Sequence, residues 1–247
     1  MKDNKKTFKI MKKFITKFDT NAELTTFSAT TDFGRPHVSL TEDDSKVHYF
    51  GDVTHNEPEY VDLGLPSGLK WATCNLGASS SEQPGKYYAW GETTGYTGEQ
   101  IENEERTFIS DEYNNNESKP ASGFIGTLDA EYDAATKELG SNWRIPTKDD
   151  YQELLDNTTQ EWVTNYNGID GNIFTSTKNS NTIFFPAAGF ASFGLAYMGY
   201  NGMYSTSVST NHDVRTELDM YNNGNIEFDE GCERYIGAPI RPVYVGE

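Results

Sequence analysis

The chain has 247 residues, of which 35% are hydrophobic and 13% aromatic, and its formal net charge is −18. This apolar share can form a folded core, and the length suits one or two domains. The acidic balance argues against binding to a nucleic-acid backbone, which requires basic patches. No apolar run approaches the ~18 residues of a membrane span. We therefore expect no nucleic-acid partner and no membrane span.

The chain begins with a basic stretch, because residues 1–18 hold seven lysines and one aspartate. Apolar residues between the lysines fit either a helix or a strand. Residues 36–40 and 46–50 then alternate like two strands of a hairpin. This module is too small to bury much apolar surface alone, and it precedes an acidic body. We predict that residues 1–57 form an anchor or oligomerisation module, with a homotrimer as the first expectation; a solvated tail is the alternative.

Residues 58–247 are predicted to form the second domain. Residues 60–74 are typical of a strand, a Pro-Ser-Gly turn and a second strand, and residues 86–91 of another aromatic strand. Residues 92–123 are acidic and rich in asparagine. Because this segment has few apolar residues, we expect it to be a long excursion over the surface.

Two short amphipathic helices are predicted in the middle of this domain. The first covers residues 129–139, with Asp129 as its N-cap and Gly140 at its C-terminal end. The second covers residues 148–156 and begins at Thr147 and Asp150, which have capping-box spacing. The surrounding chain consists of short strands and turns, so the helices are expected to pack on a β-rich domain.

The remainder of the chain favours strands separated by tight turns. Residues 173–175 and 182–190 are predicted strands, and residues 238–245 form a last strand whose prolines suit an edge position. Asn-Gly and Asp-Gly pairs predict turns, and they lie at residues 167–168, 170–171, 201–202 and 223–224.

Residue patterns for catalysis are not found in the sequence. It contains no His-Glu-x-x-His, Cys-x-x-Cys, P-loop or Gly-x-Ser-x-Gly pattern. Arg144 and Arg241 lie in apolar strings, which favours a structural role. Cys74 and Cys232 could form a disulfide, although two isolated cysteines favour free thiols. We therefore predict no catalytic residue, no metal-binding residue and no cofactor.

Several motifs of the second domain occur together in a known family. They are the Tyr-Val-Asp-Leu-Gly-Leu-Pro-Ser-Gly-Leu-Lys-Trp-Ala-Thr-Cys-Asn-Leu-Gly-Ala run at residues 60–78, Gly-Lys-Tyr-Tyr-Ala-Trp-Gly-Glu at 85–92, Trp-Arg-Ile-Pro-Thr at 143–147, Phe-Pro-Ala-Ala-Gly at 185–189 and Pro-Ile-Arg-Pro at 239–242. In this order they resemble the Fibrobacter-type major paralogous domain of gut bacteroidetes. The resemblance implies an α+β, C-type-lectin-like fold for residues 60–245, with short antiparallel strands, two short helices and neighbouring first and last strands.

A second resemblance concerns the N-terminal module. The Lys-Phe-Ile-Thr-Lys-Phe-Asp-Thr-Asn-Ala-Glu run at residues 13–23, Pro-His-Val-Ser-Leu at 36–40 and Val-His-Tyr at 47–49 resemble leader modules of Bacteroides-phage virion proteins. The resemblance implies that this module attaches the chain to a virion scaffold. A bacterial cell surface is the alternative location.

Three functions are compatible with these patterns. The first is a non-enzymatic adhesin that recognises a glycan or protein on the host surface. The second is a purely structural virion protein without a ligand. The third is an oxidase of the formylglycine-generating type, which needs a pair of nearby C-terminal cysteines, whereas only Cys232 lies in that half of the chain.

Residues 197–235 are rich in tyrosine, asparagine and serine. Aromatic anchors combined with short polar side chains are typical of recognition surfaces, and adenine-directed mutagenesis of asparagine codons, as in diversity-generating retroelements, would leave the same composition. Ordinary polar loops would share it too. The predicted ligand-binding residues are Tyr197, Tyr200, Asn201, Tyr204, Asn211, His212, Asp213, Tyr221, Asn222, Asn223 and Asn225.

Overall fold

A computed structural model describes most of the second domain and two short pieces of the first. The described residues are 38–39, 48–49, 59–121 and 123–246.

The chain divides into two units, Met1–Glu57 and Pro58–Glu247. In the first unit, strand β1 (Val38–Ser39) pairs in antiparallel fashion with β2 (His48–Tyr49). This pairing confirms that strands lie within the two predicted segments. Apart from these four strand residues, the predicted anchor module at residues 1–57 lies outside the described residues.

The second unit contains short strands and, among its described residues, four helices. The helices are α1 (Gly98–Glu102), α2 (Ser110–Asn114), α3 (Ala134–Leu139) and α4 (Lys148–Asn157). The strands are β3 (Tyr60–Val61), β4 (Lys70–Ala72), β5 (Lys86–Tyr87), β6 (Tyr96–Thr97), β7 (Gly126–Thr127), β8 (Trp143–Arg144), β9 (Thr158–Tyr166), β10 (Ile169–Ser176), β11 (Thr182–Pro186), β12 (Phe190–Ala191), β13 (Leu195–Ala196), β14 (Asn201–Ser205), β15 (Val208–Ser209), β16 (Val214–Tyr221), β17 (Ile226–Glu233) and β18 (Val243–Tyr244).

These strands form several small antiparallel sheets rather than one large sheet. The four-stranded sheet has the order β3-β4-β18-β8, and two three-stranded sheets have the orders β11-β10-β9 and β14-β16-β17. Two-stranded pairs are β5-β6, β12-β13 and β15-β7. The architecture is therefore α+β or mainly β, which is consistent with the predicted α+β class.

The first and last strands of the second unit lie in the same sheet, as predicted. Both β3 and β18 pair with β4, and the rings of Tyr60 and Tyr244 stack with their centroids 4.8 Å apart. The predicted edge position of the last strand is wrong, because β18 lies between β4 and β8. Pro242, which has no N–H, precedes β18 and accepts a hydrogen bond from Ala72 N through its carbonyl.

Helix α4 begins as the sequence predicts. The Thr147 side chain accepts a hydrogen bond from Asp150 N, and the Asp150 carboxylate accepts one from Thr147 N, which completes the capping box. Asp150 also binds both terminal nitrogens of Arg144. Burial raises the pKa of this carboxyl, but the bonds from Arg144 and Thr147 outweigh burial, and the net pKa is lowered.

Helix α3 is shorter than predicted, and its N-cap is Asp133 rather than Asp129. One Asp133 oxygen accepts from Thr136 N, and the other accepts from Ile145 N in the following segment. Asp129 instead begins a turn, in which its carbonyl accepts from Tyr132 N. Asp133 is the better cap because it satisfies donors in two segments at once.

Two predicted turns are extended strand instead. Residues 170–171 lie in β10, where the Asp170 side chain accepts a hydrogen bond from Asn165 N across the hairpin that turns at residues 167–168. Residues 201–202 lie in β14, paired with Tyr221 and Met220 of β16. The predicted turns at residues 167–168 and 223–224 are confirmed.

Residues 92–123 are better anchored than the sequence predicts. Three side chains of this segment are buried against Tyr87 and Ala191. They are Ile101 of α1, Phe108 before α2 and Tyr113 of α2. The three apolar residues are far apart in an acidic segment, so their shared core position depends on the path of the chain. The excursion thus contributes three side chains to a core cluster that it shares with other parts of the second unit.

The interior of the second unit contains a charged side chain, Arg241, which is fully buried. Its Nε donates to Asn75 Oδ1 at 2.8 Å, one terminal nitrogen donates to the carbonyls of Ala72 and Thr73, and the other donates to the carbonyl of Phe184 at 2.9 Å. Neutral oxygens thus surround the guanidinium. The predicted structural roles of Arg241 and Arg144 are thus confirmed. Cys74 and Cys232 are free thiols, as predicted.

We predict that Asp150→Asn lowers the free energy of unfolding at pH 7 by about 1.5–3 kcal/mol, because it weakens a cap and a charge-assisted pair. The native pKa of Asp150 lies below its unfolded value, so its contribution is present above that unfolded value and is lost as pH falls through the native one. The difference from wild type should therefore shrink at acidic pH. Urea unfolding at several pH values measures this, with Asp149→Asn as the matched control that should cost less than about 0.5 kcal/mol.

We also predict that Arg241→Lys lowers the free energy of unfolding by about 3–5 kcal/mol. The compact lysine ammonium cannot donate to all the oxygens that the planar guanidinium of Arg241 reaches. The same change at the half-buried Arg144→Lys should cost less than about 1 kcal/mol, since its partner carboxylate remains in reach. Thermal and urea unfolding of both variants give the comparison; similar losses would contradict the role assigned to Arg241.

Candidate binding surface

Four exposed apolar side chains of the second unit lie within the eight residues 193–200. Phe193 is 81% exposed, Tyr197 60%, Met198 40% and Tyr200 61%. The other large exposed apolar residues, such as Ile125, are scattered along the chain. We call these four residues the aromatic surface; they lie on the β12–β13 turn and on the connection from β13 to β14.

Main-chain hydrogen bonds hold this connection against the segment that follows β11. Gly199 N donates to the carbonyl of Ala187, and Gly189 N donates to the carbonyl of Asn201, at 2.8 and 2.7 Å. Gly189 has a φ of +58°, and a Cβ there would lie 2.0 Å from the Ala196 carbonyl oxygen. Only glycine permits this close approach, so the Phe-Pro-Ala-Ala-Gly motif supports the surface from beneath.

Tyr197 adopts a left-handed backbone conformation, with a φ of +57°. Bulky residues rarely occupy this region, and such strain is concentrated at functional sites. The Tyr197 ring stacks on that of Phe190 with centroids 5.7 Å apart, which orients it while leaving it largely exposed. The ring is thus presented to solvent in a fixed position.

The β16–β17 hairpin brings the predicted asparagines beside the aromatic surface. Asn201 pairs with Tyr221 across β14 and β16, and Asn222 N donates to the carbonyl of Tyr200 at 3.1 Å. The exposed hairpin tip is closed by Asn225 N, which donates to the Asn223 side chain. The structure thus places seven predicted residues together, namely Tyr197, Tyr200, Asn201, Tyr221, Asn222, Asn223 and Asn225.

Three other predicted residues lie at the opposite end of β16. Asn211, His212 and Asp213 are exposed and immediately precede this eight-residue strand, whose length is about 23 Å at ~3.3 Å per residue. Arg234 holds their backbone in place. Its guanidinium donates to the carbonyl of Asn211, and its main-chain N–H donates to the carbonyl of Asp213. The predicted set therefore separates into two groups.

Tyr204 is fully buried and belongs to the core. Its hydroxyl donates to the carbonyl of Pro186 at 2.9 Å, and its ring lies 4.9 Å from that of Phe185. Tyr200 differs because it lies in the turn that precedes β14 and not in the strand itself. Tyr204 is therefore excluded from the surface.

Tyr221 links the hairpin to buried acidic groups. Its hydroxyl donates to Asp219 Oδ2 at 3.1 Å, and burial together with the Asp219 charge raises the pKa of Tyr221. Burial first, and then the neighbouring charge of Glu217, raises the pKa of Asp219 to about 7. Tyr221 is therefore a neutral hydrogen-bond donor over the whole physiological range.

A separate shallow cleft of about 210 Å³ lies elsewhere in the second unit. It is lined by aliphatic and aromatic side chains together with hydroxyl groups, with no carboxylate, histidine, lysine or cysteine among these residues. They are Val61, Thr73, Ser81, Tyr166, Ile173, Thr182, Ile183 and Phe184. Such a lining provides no obvious general acid–base pair.

Comparisons with known proteins return no match to this chain, whether with protein-family models, curated proteins or solved structures. The resemblance to the Fibrobacter-type domain therefore stays a prediction. Among the described residues, no helix is both long and apolar enough to cross a membrane.

Sequence reasoning missed two members of the aromatic surface, Phe193 and Met198. Phe193 stands between Ser192 and Gly194, and an isolated aromatic residue in such a turn is a usable signal of exposure. Met198 carries no comparable signal, because methionine is common in cores.

We predict that Tyr204→Ala lowers the free energy of unfolding by about 3–5 kcal/mol, because it removes a buried ring and a hydrogen bond to Pro186. Tyr200→Ala should change it by less than about 0.5 kcal/mol, since its side chain is mostly in water. Urea unfolding of the two variants measures the contrast. Equal losses would show that Tyr200 is part of the core and not of a free surface.

Proposed function

We propose that this chain is a non-enzymatic binding protein that recognises a glycan or protein on a host surface through the aromatic surface and the adjacent hairpin tip. The observation that carries this proposal is the set of four exposed apolar side chains on the β12–β13 turn and the connection from β13 to β14. Large exposed apolar patches, rimmed by polar groups, mark binding sites. The strained, exposed Tyr197 adds support from the same segment.

The chemistry of the surface suits a ligand with both apolar faces and polar edges. Tyr197 and Tyr200 provide broad rings at low entropic cost. The asparagines of the hairpin tip provide amide donors and acceptors beside them. Sugars and extended protein segments both offer this combination, and the ligand test below separates them.

We further propose that the second unit has a C-type-lectin-like fold and that residues 1–57 attach it to a scaffold, as a homotrimer. The resemblance to phage leader modules favours a virion, with a bacterial cell surface as the alternative. The adjacent first and last strands support the lectin-like proposal, since the fold brings its termini together.

A purely structural virion protein is the second candidate. It is favoured by the serines within residues 197–235 that are buried, such as Ser205 and Ser207. The oxidase alternative receives no support from the cysteines, because Cys74 and Cys232 are separate free thiols.

The experiment that tests the proposed function compares wild type with Phe193→Ala, Tyr197→Gly and Tyr200→Ala on glycan arrays and host cells. Each change should weaken binding by about 1–2 kcal/mol or more, because aromatic anchors dominate interfaces. Tyr197→Gly should do so without lowering the melting temperature, since glycine accepts a positive φ without strain.

The matched controls are Ile125→Ala and Val245→Ala, which remove exposed apolar side chains outside the aromatic surface. They should leave binding unchanged. Binding by wild type that none of the surface variants weakens would place the site elsewhere. If wild type binds neither glycans nor cells, the structural-protein candidate is favoured instead.

A further inference from the structure

The sheet formed by β14, β16 and β17 has one face that is unusually acidic. Strand β16 alternates, so that Leu218 and Met220 point into the core, while Glu217 and Asp219 share the other face. Asp229 of β17 lies directly opposite Glu217. One oxygen from each of these three carboxylates lies within 4.8 Å of the others.

Two of the three carboxylates are buried and incompletely bonded. Glu217 is 0% exposed and Asp219 5%. Glu217 Oε2 binds Arg215 and Asp219 Oδ2 binds Tyr221, but Glu217 Oε1 and Asp219 Oδ1 accept no hydrogen bond from the part of the chain that the structure describes. A buried carboxylate oxygen without a partner is costly, so these two oxygens indicate a missing positive ligand.

The charge of the cluster is also unbalanced. Arg215, fully buried, pairs with Glu217 at 3.0 Å, whereas Asp219 and Asp229 form no ion pair with any described residue. Like charges directly opposite each other destabilise a strand pair. A divalent cation would balance the cluster.

We propose that Glu217, Asp219 and Asp229 bind a hard divalent cation, with calcium preferred over magnesium. All three donors are carboxylate oxygens, which hard cations prefer. Calcium accepts oxygens at about 2.3–2.6 Å in flexible geometry, so it tolerates ligands on opposite sides about 5 Å apart, whereas magnesium requires about 2.0–2.1 Å. Asp229 is exposed, so it completes the site at the solvent side and leaves room for water ligands.

The cation would join β16 to β17 close to the base of the hairpin that carries Asn222–Asn225. This role is independent of the proposed function, because it requires no host ligand. With three protein carboxylates, we expect a dissociation constant for calcium of about 0.1–1 mM, the range of extracellular calcium modules.

The test uses the full chain after treatment with a chelator. Calorimetry and thermal unfolding are followed during titration with calcium chloride, magnesium chloride and sodium chloride at matched ionic strength. Calcium should bind with a stoichiometry of one and raise the melting temperature by several degrees, more than magnesium does and unlike sodium. Terbium should give tyrosine-sensitised luminescence that calcium displaces, since Tyr221 contacts Asp219.

The decisive variant is Asp229→Asn, because this exposed residue can change without disturbing the core. It should weaken calcium binding at least about tenfold, which corresponds to ~1.4 kcal/mol. Glu230→Gln is the matched control; it removes the same charge from the neighbouring exposed residue and should leave binding unchanged.

Three results would overturn the proposal. Absence of calcium binding up to 10 mM, about ten times the weakest affinity expected, would mean that Glu217 and Asp219 share a proton instead. Equal weakening in Asp229→Asn and Glu230→Gln would indicate diffuse attraction to acidic surface. Tighter binding of zinc that is lost in Cys232→Ser would indicate a softer site that uses the thiol.

Discussion

The buried guanidinium of Arg241 connects parts of the second unit that are far apart in sequence. It bonds to the carbonyls of Ala72, Thr73 and Phe184 and to the side chain of Asn75. A positive charge is costly to bury, and here four neutral oxygens replace water. The arrangement requires the end of β4 and the residues after it to meet the middle of β11, so it fixes the relation between the four-stranded sheet and β11.

The aromatic core is built around the same point. The Arg241 guanidinium lies over the Phe185 ring at 4.5 Å, and Phe185 in turn contacts Trp71, Phe174 and Tyr204. Residues 187–189, which support the aromatic surface, continue directly from β11. The position of the exposed rings therefore depends on a chain of contacts that begins at a buried charge.

Local signals in the sequence predicted the local structure well. The Thr147–Asp150 capping box and the turns at residues 167–168 and 223–224 depend on neighbours that sequence spacing reveals. The predictions were wrong where contacts with distant segments determine the structure. Asp133 is preferred to Asp129 because it also bonds to Ile145, and β18 is internal because β8 pairs with its free side. Composition alone could not distinguish the buried Tyr204 from the exposed Tyr200, and the acidic cluster became visible only when β17 was placed beside β16.

The way in which the hairpin tip is held has a consequence for evolution. Tyr200 and Asn222 are joined through main-chain atoms, so the identity of their exposed side chains contributes little to the joint. Substitutions at these two positions would alter the chemistry offered to a ligand while leaving the bonds between the strands intact. Such a separation of framework from contact residues lets a surface acquire new specificities without new folding problems.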